Sequence, residues 1–308
     1  MTVLCSDDSR AGAARNAGGP APLAWRGGAG DRAAHGRLDW SRPYVMGIVN
    51  VTADSFSGDG LNTDAQAAIA RARQMVADGA DLIDLGAEST RPGAQPVSAD
   101  EEIARLLPVL EGLRDLAIPV SVDTRHAATM RAALQAGAAI INDISALEDD
   151  PGSLAAVAGA QCPVVLMHKQ GDPQTMQVAP RYDDVVAEVH DYLAGRIKAC
   201  EAAGIARQRI ILDPGIGFGK TLEHNLALLR DGLAALRNLG CALLVGVSRK
   251  SMIGALTGER DPARRVAGSL AAGLRAVQQG AHILRVHDVP ETVQALRVWR
   301  GIAGDTSP

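Results

Sequence analysis

An α/β fold of eight strand–helix units closed into a barrel, (β/α)8, is the fold class that this sequence predicts, and three observations predict it. A helix–glycine–strand pattern recurs along the chain, the strands it marks number eight, and nearly every strand ends in polar side chains. The recurrence is plain in MVADGADLIDLGAE, ALQAGAAIINDISA, ACEAAGIARQRIILDPG and AVQQGAHILRVHDV, with looser copies in ALRNLGCALLVGVS and AVAGAQCPVVLMHKQG. Each copy is the end of an Ala-rich amphipathic helix, a glycine suited to a helix C-cap, and a short aliphatic strand; the glycines are Gly79, Gly137, Gly204, Gly280 and Gly240.

Taken in order, strands are expected at 44–52, 81–88, 120–124, 138–144, 163–168, 209–213, 242–248 and 283–288. Helices follow at about 63–79, 98–115, 126–136, 152–159, 183–203, 222–239, 262–279 and 290–302. Regular alternation implies a parallel sheet with right-handed crossovers, and eight units are what closes a barrel. An open doubly wound sheet is the alternative, but it needs neither this count nor a polar group at every strand end.

Composition narrows the function classes. With 47% apolar residues, 21% charged and a net charge of −4, the 308-residue chain has the balance of a soluble globular protein, and no electrostatic case for nucleic acid. Aromatics make up only 3%, so the core must come from Ala, Val, Leu and Ile, which suits parallel strands better than a platform for stacking bases. No apolar run approaches the roughly 18 residues of a membrane helix, and the first forty residues lack a secretory signal's apolar stretch; a cytoplasmic location is expected. Cys5, Cys162, Cys200 and Cys241 are scattered, with no CxxC spacing, and suggest neither disulfides nor zinc. Residues 1–37, rich in Ala, Gly and Arg, read as a disordered tail, with short strands near Leu23–Trp25 as the exception, and a single barrel domain is expected over 38–308.

In such a barrel the strand C-terminal ends share one mouth, and chemistry sits there. The polar residues at those ends are Asn50, Glu88, Asp123, Asn142 with Asp143, His168, Asp213, Ser248 to Lys250, and Arg285 with His287. One strand-end Asp or Asn often only caps the next helix; convergence of all eight ends on one face is not explained by capping. The signs are sorted as well. Carboxylates and amides on strands three, four and six suit a ligand edge rich in N–H donors, such as an aminopyrimidine. Arg249, Lys250, Arg285 and His287 follow the last two strands, where barrels commonly hold phosphate. A nitrogen heterocycle carrying phosphate fits both halves.

Three segments need separate readings. DPGIGFGKT is like a phosphate-binding P-loop, but Pro214 stands where that pattern requires glycine; its glycines suit close passage of backbone along a flat ligand, with Phe218 as a wall. GAESTRPGAQP brackets Thr90 and Arg91 with Pro and Gly, as a loop presenting a hydroxyl and a guanidinium does. His168 fits a hydrogen-bonded structural residue as well as a catalyst. No HExxH spacing occurs, so a tightly held zinc is not expected, whereas Mg2+ brought in by phosphate, with Asn50 supplying an oxygen, is compatible with the strand ends.

MGIVNVTADSFSGDG, GAESTRPGA, SVDT, INDI, MHKQG, LDPGIGFGK, GVSRKSMIG and RVHDV together resemble the dihydropteroate synthase family in order and spacing, from about Arg42 to the end of the barrel. The resemblance implies a (β/α)8 barrel that condenses 6-hydroxymethyl-7,8-dihydropterin pyrophosphate with p-aminobenzoate, releasing pyrophosphate. It implies that Asp123, Asn142, Met167, Asp213, Gly217 and Lys250 line the pterin pocket, with Asp123, Lys250 and Asp213 catalytic. It further implies that Asn50, Arg285 and His287 hold pyrophosphate and its Mg2+, with Asn50 as metal ligand. Thr90, Arg91, Pro92, Phe218 and Ser251 would shape the aminobenzoate site, where sulfonamides compete in this family, and a homodimer built on the late helices is implied too. Two rivals are a methyltetrahydrofolate-dependent methyltransferase of the same superfamily and a non-catalytic pterin-binding paralogue; the intact STRPGA and SRKSM segments argue against both. One departure stands out. The usual first loop, NVTPDSFSDGG, here has Ala53 for the proline and Gly58–Asp59 exchanged, which leaves more conformations to lose on ordering, worth roughly 0.4–1 kcal/mol. A slower rather than inactive enzyme is expected, with residues 52–60 mobile when empty and closing over substrate.

Overall fold

The computed structural model describes residues 19–27, 34–51, 61–88, 97–172 and 175–304. Among them an antiparallel pair, β1 (Leu23–Gly27) and β2 (Ala34–Leu38), comes first. The strands β3 (Tyr44–Asn50), β4 (Leu82–Gly86), β5 (Val120–Asp123), β6 (Ile140–Asp143), β7 (Val164–Met167), β8 (Ile210–Asp213), β9 (Ala242–Val245) and β10 (Ile283–Val286) follow, all parallel, and β10 pairs back onto β3 to close the barrel. All eight expected barrel strands are present, each one to three residues shorter than its expected range, chiefly because polar residues at their C-terminal ends turn into loops.

Outside the strands lie α1 (Leu61–Ala77), α2 (Ala99–Gly112), α3 (Ala127–Ala136), α4 (Ser153–Ala160) and α5 (Val185–Ala202). The sixth position is filled by α6 (Leu222–Ala227), a π-helical stretch over Leu228–Gly232, and α7 (Leu233–Arg237). Then come α8 (Ser251–Thr257), α9 (Val266–Gln278) and α10 (Val289–Ile302). The short α8 was not expected from periodicity, since seven residues give too few turns to show an apolar stripe. Capping follows ordinary chemistry: Ser98 accepts from the Glu101 N–H at the start of α2, and Asp184 accepts from the Val186 and Ala187 N–H groups at the start of α5.

Alternation along the strands sorts their side chains into two cores. Val45, Ile83, Val122, Ile141, Leu166, Leu212, Val245 and Leu284 face outward under the helices. Met46, Leu82, Ile140, Val165, Ile211, Leu244 and Ile283 face inward and fill the barrel.

That inner core includes Leu23, Trp25 and Leu38, at 1%, 6% and 5% exposure. The β1–β2 hairpin therefore plugs the N-terminal floor of the barrel. The short strand expected near Leu23–Trp25 is present as β1, and through it the barrel's inner core takes in residues that precede position 38. The sequence reason is the alternation in LAWRG, whose Leu23 and Trp25 turn inward while Ala24 and Arg26 stay exposed. The rest of the expected tail, residues 1–18 and 28–33, lies outside the described residues. No helix among the described residues is long and apolar enough to cross a membrane.

Candidate active site

The inward parity that fills the barrel with Leu82, Ser121, Ile140, Val165, Ile211 and Ile283 carries, two residues further on, Asp84, Asp123, Asn142, Met167, Asp213 and Arg285. Each strand thus spends its first inward position on packing and its next on chemistry. The result is a ring of ionisable and amide groups above an apolar plug.

Arg285 is the hub of this ring. Its Nε donates to Asp84 Oδ2 at 2.6 Å and its Nη2 to Asp123 Oδ2 at 2.9 Å. Asp84 Oδ2 also accepts from Asn142 Nδ2 at 3.0 Å, while Asp84 Oδ1 is buried with no hydrogen-bond partner. Burial depresses the Arg285 pKa, but Asp84 and Asp123 outweigh it and hold the guanidinium charged. Burial pushes Asp123 up to about 7, against the pull of Arg285 and helped by the neighbouring Asp84 charge. Asp213 is raised by burial too, opposed by the Gly215 N–H bonded to its Oδ1 at 2.7 Å and by the charge of Lys250. Lys250, the residue preceding α8, is pushed down to about 8 by burial, with Asp213 pulling the other way. Its Nζ stands 4.2 Å from the centroid of the Phe218 ring.

The remaining strand-end residues divide. His287 Nδ1 lies 3.1 Å from Ser248 Oγ, and the His287 N–H donates to the same oxygen at 3.2 Å, so the ends of β9 and β10 are tied together. Ser251 is exposed at the first turn of α8. Asn50 is half-buried at the tip of β3, and its side chain has no hydrogen-bond partner among the described residues. Met167 is buried at the tip of β7, and Gly217 and Phe218 are half-buried in the turn after β8.

Other members of the strand-end series are structural. Asp143 accepts from the Ser145 N–H and hydroxyl and the Leu147 N–H, which shapes its own turn. Glu88 pairs with Arg125 at 3.0 Å. Arg249 pairs with Asp288 and is spent there, so it leaves the expected phosphate set. His168 Nδ1 lies 2.8 Å from Lys220 Nζ; burial first, then that lysine, push the imidazole down to about 3, so it is neutral and structural. Thr90, Arg91 and Pro92, together with loop 52–60, lie outside the described residues.

Sequence reading passed over Asp84 and Lys220. Asp84 carried a usable signal, a carboxylate at an inward position of an otherwise apolar strand, LIDLG. Lys220 carried none beyond its place in a Gly-rich turn.

Fold and mouth together define a (β/α)8 barrel with carboxylates, an amide and cations gathered at one mouth, the arrangement of an enzyme of this fold. A family model described as pterin binding enzyme matches residues 46–287. The dihydropteroate synthase of Escherichia coli K12 is 52% identical over 262 residues, covering 85% of this chain and 92% of that protein. The solved Xanthomonas albilineans dihydropteroate synthase with 4-aminobenzoic acid superposes with a TM-score of 0.82 at 52% identity, covering 88% of this chain and 96% of that one. A second structure of the Xanthomonas enzyme, in complex with 7,8-dihydropteroate, gives 0.77 at 48% identity, covering 88% and 96%. The chain belongs to the pterin-binding enzymes, and within them to the dihydropteroate synthase family.

Proposed function

We infer that this protein is a transferase of folate biosynthesis that joins 6-hydroxymethyl-7,8-dihydropterin pyrophosphate to p-aminobenzoate, giving 7,8-dihydropteroate and pyrophosphate. The observation that carries this reading is the Asp84–Arg285–Asp123 cluster with Asn142, Asp213 and Lys250 at one mouth, in a chain half identical to dihydropteroate synthases over most of its length.

In this reading Asp213 and Asn142 accept and donate along the pterin's amide and amino edge, and Met167 packs against its ring. Arg285 and His287 receive the pyrophosphate. The carbon–oxygen bond to pyrophosphate breaks with its electron pair leaving on the phosphate, and the dihydropterin methylene carries the positive charge. Asp123, in its ionised form, lies beside that charge. The aromatic amine then forms the new carbon–nitrogen bond with its lone pair, and the proton it loses goes to the released pyrophosphate or to water. No nucleophile or strong base is needed; orientation and a preorganised field supply the rate. Phe218 and Ser251 border the aminobenzoate, and the family resemblance gives Thr90, Arg91 and Pro92 a part in the same site.

Mg2+ fits this site. Among the described residues no group of three or more His, Cys, Asp or Glu side chains makes a protein cage, and the Asn50 amide oxygen at the mouth has no partner. A magnesium bound chiefly by phosphate oxygens and water needs one such protein oxygen. When bound, it spreads the charge of the departing pyrophosphate.

The late helices support a homodimer. Leu226, Leu229, Met252, Ile253 and Leu256 line an open apolar groove of about 540 Å³ between α6, α8 and α9, with Leu256 56% exposed. A second copy of the chain is the occupant, and sedimentation should show it. A cytoplasmic location follows from the reading as a folate enzyme.

The test mixes purified protein with the pterin pyrophosphate, labelled p-aminobenzoate and Mg2+. Labelled dihydropteroate is expected, and a sulfonamide should compete with the aminobenzoate. No labelled product would remove this reading.

A further inference from the structure

Lys220 is 3% exposed and no carboxylate reaches it among the described residues. Its three N–H donors meet three acceptors instead: His168 Nδ1 at 2.8 Å, the Phe218 carbonyl at 3.0 Å and the His168 carbonyl at 3.4 Å. Burying an ammonium with no carboxylate bonded to it is costly even with the charge of Asp213 acting from a distance, and a hydrophobic residue would pack there at less cost. A lysine kept in that position answers to something other than stability.

Its partners show what that is. The turn after β8 runs against the segment after β7 so closely that a Cβ at Gly215 would stand 1.8 Å from the His168 carbonyl oxygen, and one at Gly219 would stand 2.3 Å from that of Gln170. Both glycines are left-handed, at φ +67° and +62°. Within this turn different side chains hold different peptides. Asn225 Oδ1 accepts from the Gly217 N–H at 2.7 Å, Gln177 Nε2 donates to the Gly217 carbonyl, and the Tyr182 hydroxyl donates to the Gly219 carbonyl at 2.9 Å. The Phe218 carbonyl is held by Lys220, and the Phe218 ring faces Lys250.

We propose that Lys220 is a positioning residue for aminobenzoate capture: with His168 it anchors the Phe218 peptide and so fixes the aromatic wall, while Gly217 and the pterin side are held independently. This deepens the reading above and rests on its placement of Phe218 beside the aminobenzoate. For the bond to form, His168 Nδ1 accepts and Nε2 carries the proton, in keeping with a neutral imidazole. Lys220 itself is pushed down to about 7, chiefly by burial and also by the Lys250 charge, with Asp213 pulling the other way, while its direct hydrogen-bond partners are neutral acceptors.

The experiment measures steady-state kinetics with each substrate varied in turn for the unaltered protein, Lys220→Met and His168→Leu. Loss of a charge-assisted bond should raise the aminobenzoate KM about tenfold in Lys220→Met and about threefold in His168→Leu, with the pterin pyrophosphate KM within about twofold. Should Lys220→Met fail to fold, the split in His168→Leu decides. Equal rises in both KM values, or no rise for aminobenzoate, overturn the positioning role while the unaltered protein still makes dihydropteroate. An unaltered protein that makes none overturns the functional reading and this inference with it.

Discussion

Arg285 and Asp123 meet at 2.9 Å across the barrel mouth, although 162 positions separate them in the chain. The same guanidinium reaches Asp84 through Nε, so its fork is divided between a carboxylate buried inside the barrel and one at the mouth. A pyrophosphate arriving at Arg285 competes with Asp123 for Nη2. Asp84, fully buried, keeps Nε and fixes the plane of the guanidinium. Asp84→Asn should therefore lower kcat/KM for the pterin pyrophosphate by about 10- to 100-fold and destabilise the fold by about 2–4 kcal/mol, since it leaves part of a buried ion pair uncompensated. The aminobenzoate KM should hold within about twofold. Kinetics with both substrates and a thermal melt check it; a variant with undiminished use of the pterin pyrophosphate would show that Arg285 needs no support from Asp84.

The alternation that explains Asp84 also shows how much of this site was legible. The repeat of glycine-capped helix and aliphatic strand disclosed the barrel, because a period-two strand and a 3.6-residue helix leave different apolar patterns. It disclosed Asp123, Asn142, Asp213 and Arg285 as strand ends for the same reason. Parity would have separated these from Asp143, whose side chain shapes its own turn. What stayed hidden depends on contacts across the chain: Arg249 is as basic as Arg285 in sequence, and only the fold reveals that Asp288 takes it. A short strand at Leu23–Trp25 was legible, but its pairing with β2 and its place in the barrel floor were hidden by the Ala, Gly and Arg content around it, since two short strands bury only a few side chains.

A pH profile follows from Asp123 and Lys250. Asp123 stands near 7 and must be ionised beside the developing cation, so kcat/KM should rise with pH through that region. Lys250 stands near 8 and must be protonated to act as a cation, so activity should fall above it. The two limbs are macroscopic values of one coupled cluster. Asp123→Asn should remove the acidic limb and lower kcat about 100-fold, as expected for one lost electrostatic contact in a transition state. A profile that is flat from pH 6 to 9 in the unaltered protein would contradict both assignments.

Removal of the N-terminus should act in two stages. Residues 1–18 are rich in Ala, Gly and Arg and carry no periodic apolar face, so their deletion should leave melting temperature and activity unchanged. Deletion of residues 1–36, by contrast, takes away β1, and with it Leu23 and Trp25 from the barrel floor. Trp25→Ala alone should cost about 3–5 kcal/mol through the cavity it leaves. Denaturant melts of the two truncations and of Trp25→Ala test this, and a truncation at 36 as stable as the full chain would show that the hairpin does not hold the floor.

Asn50 ends β3 at the mouth, where the proposed reading gives its amide a partner on the ligand side. If Asn50 holds Mg2+ as proposed, replacing it with Ala would remove the protein's oxygen and leave phosphate oxygens and water to hold the ion. Asn50→Ala should therefore raise the Mg2+ concentration for half-maximal rate about tenfold, with the rate largely restored at saturating Mg2+ and the aminobenzoate KM unchanged. The strand should not suffer, because register with β4 runs through backbone bonds and the Asn50 side chain makes none among the described residues. Initial rates across a magnesium titration decide the matter. An unchanged magnesium dependence with a lowered maximal rate would instead place the Asn50 amide directly on substrate, and would move the metal's protein contact elsewhere on the mouth.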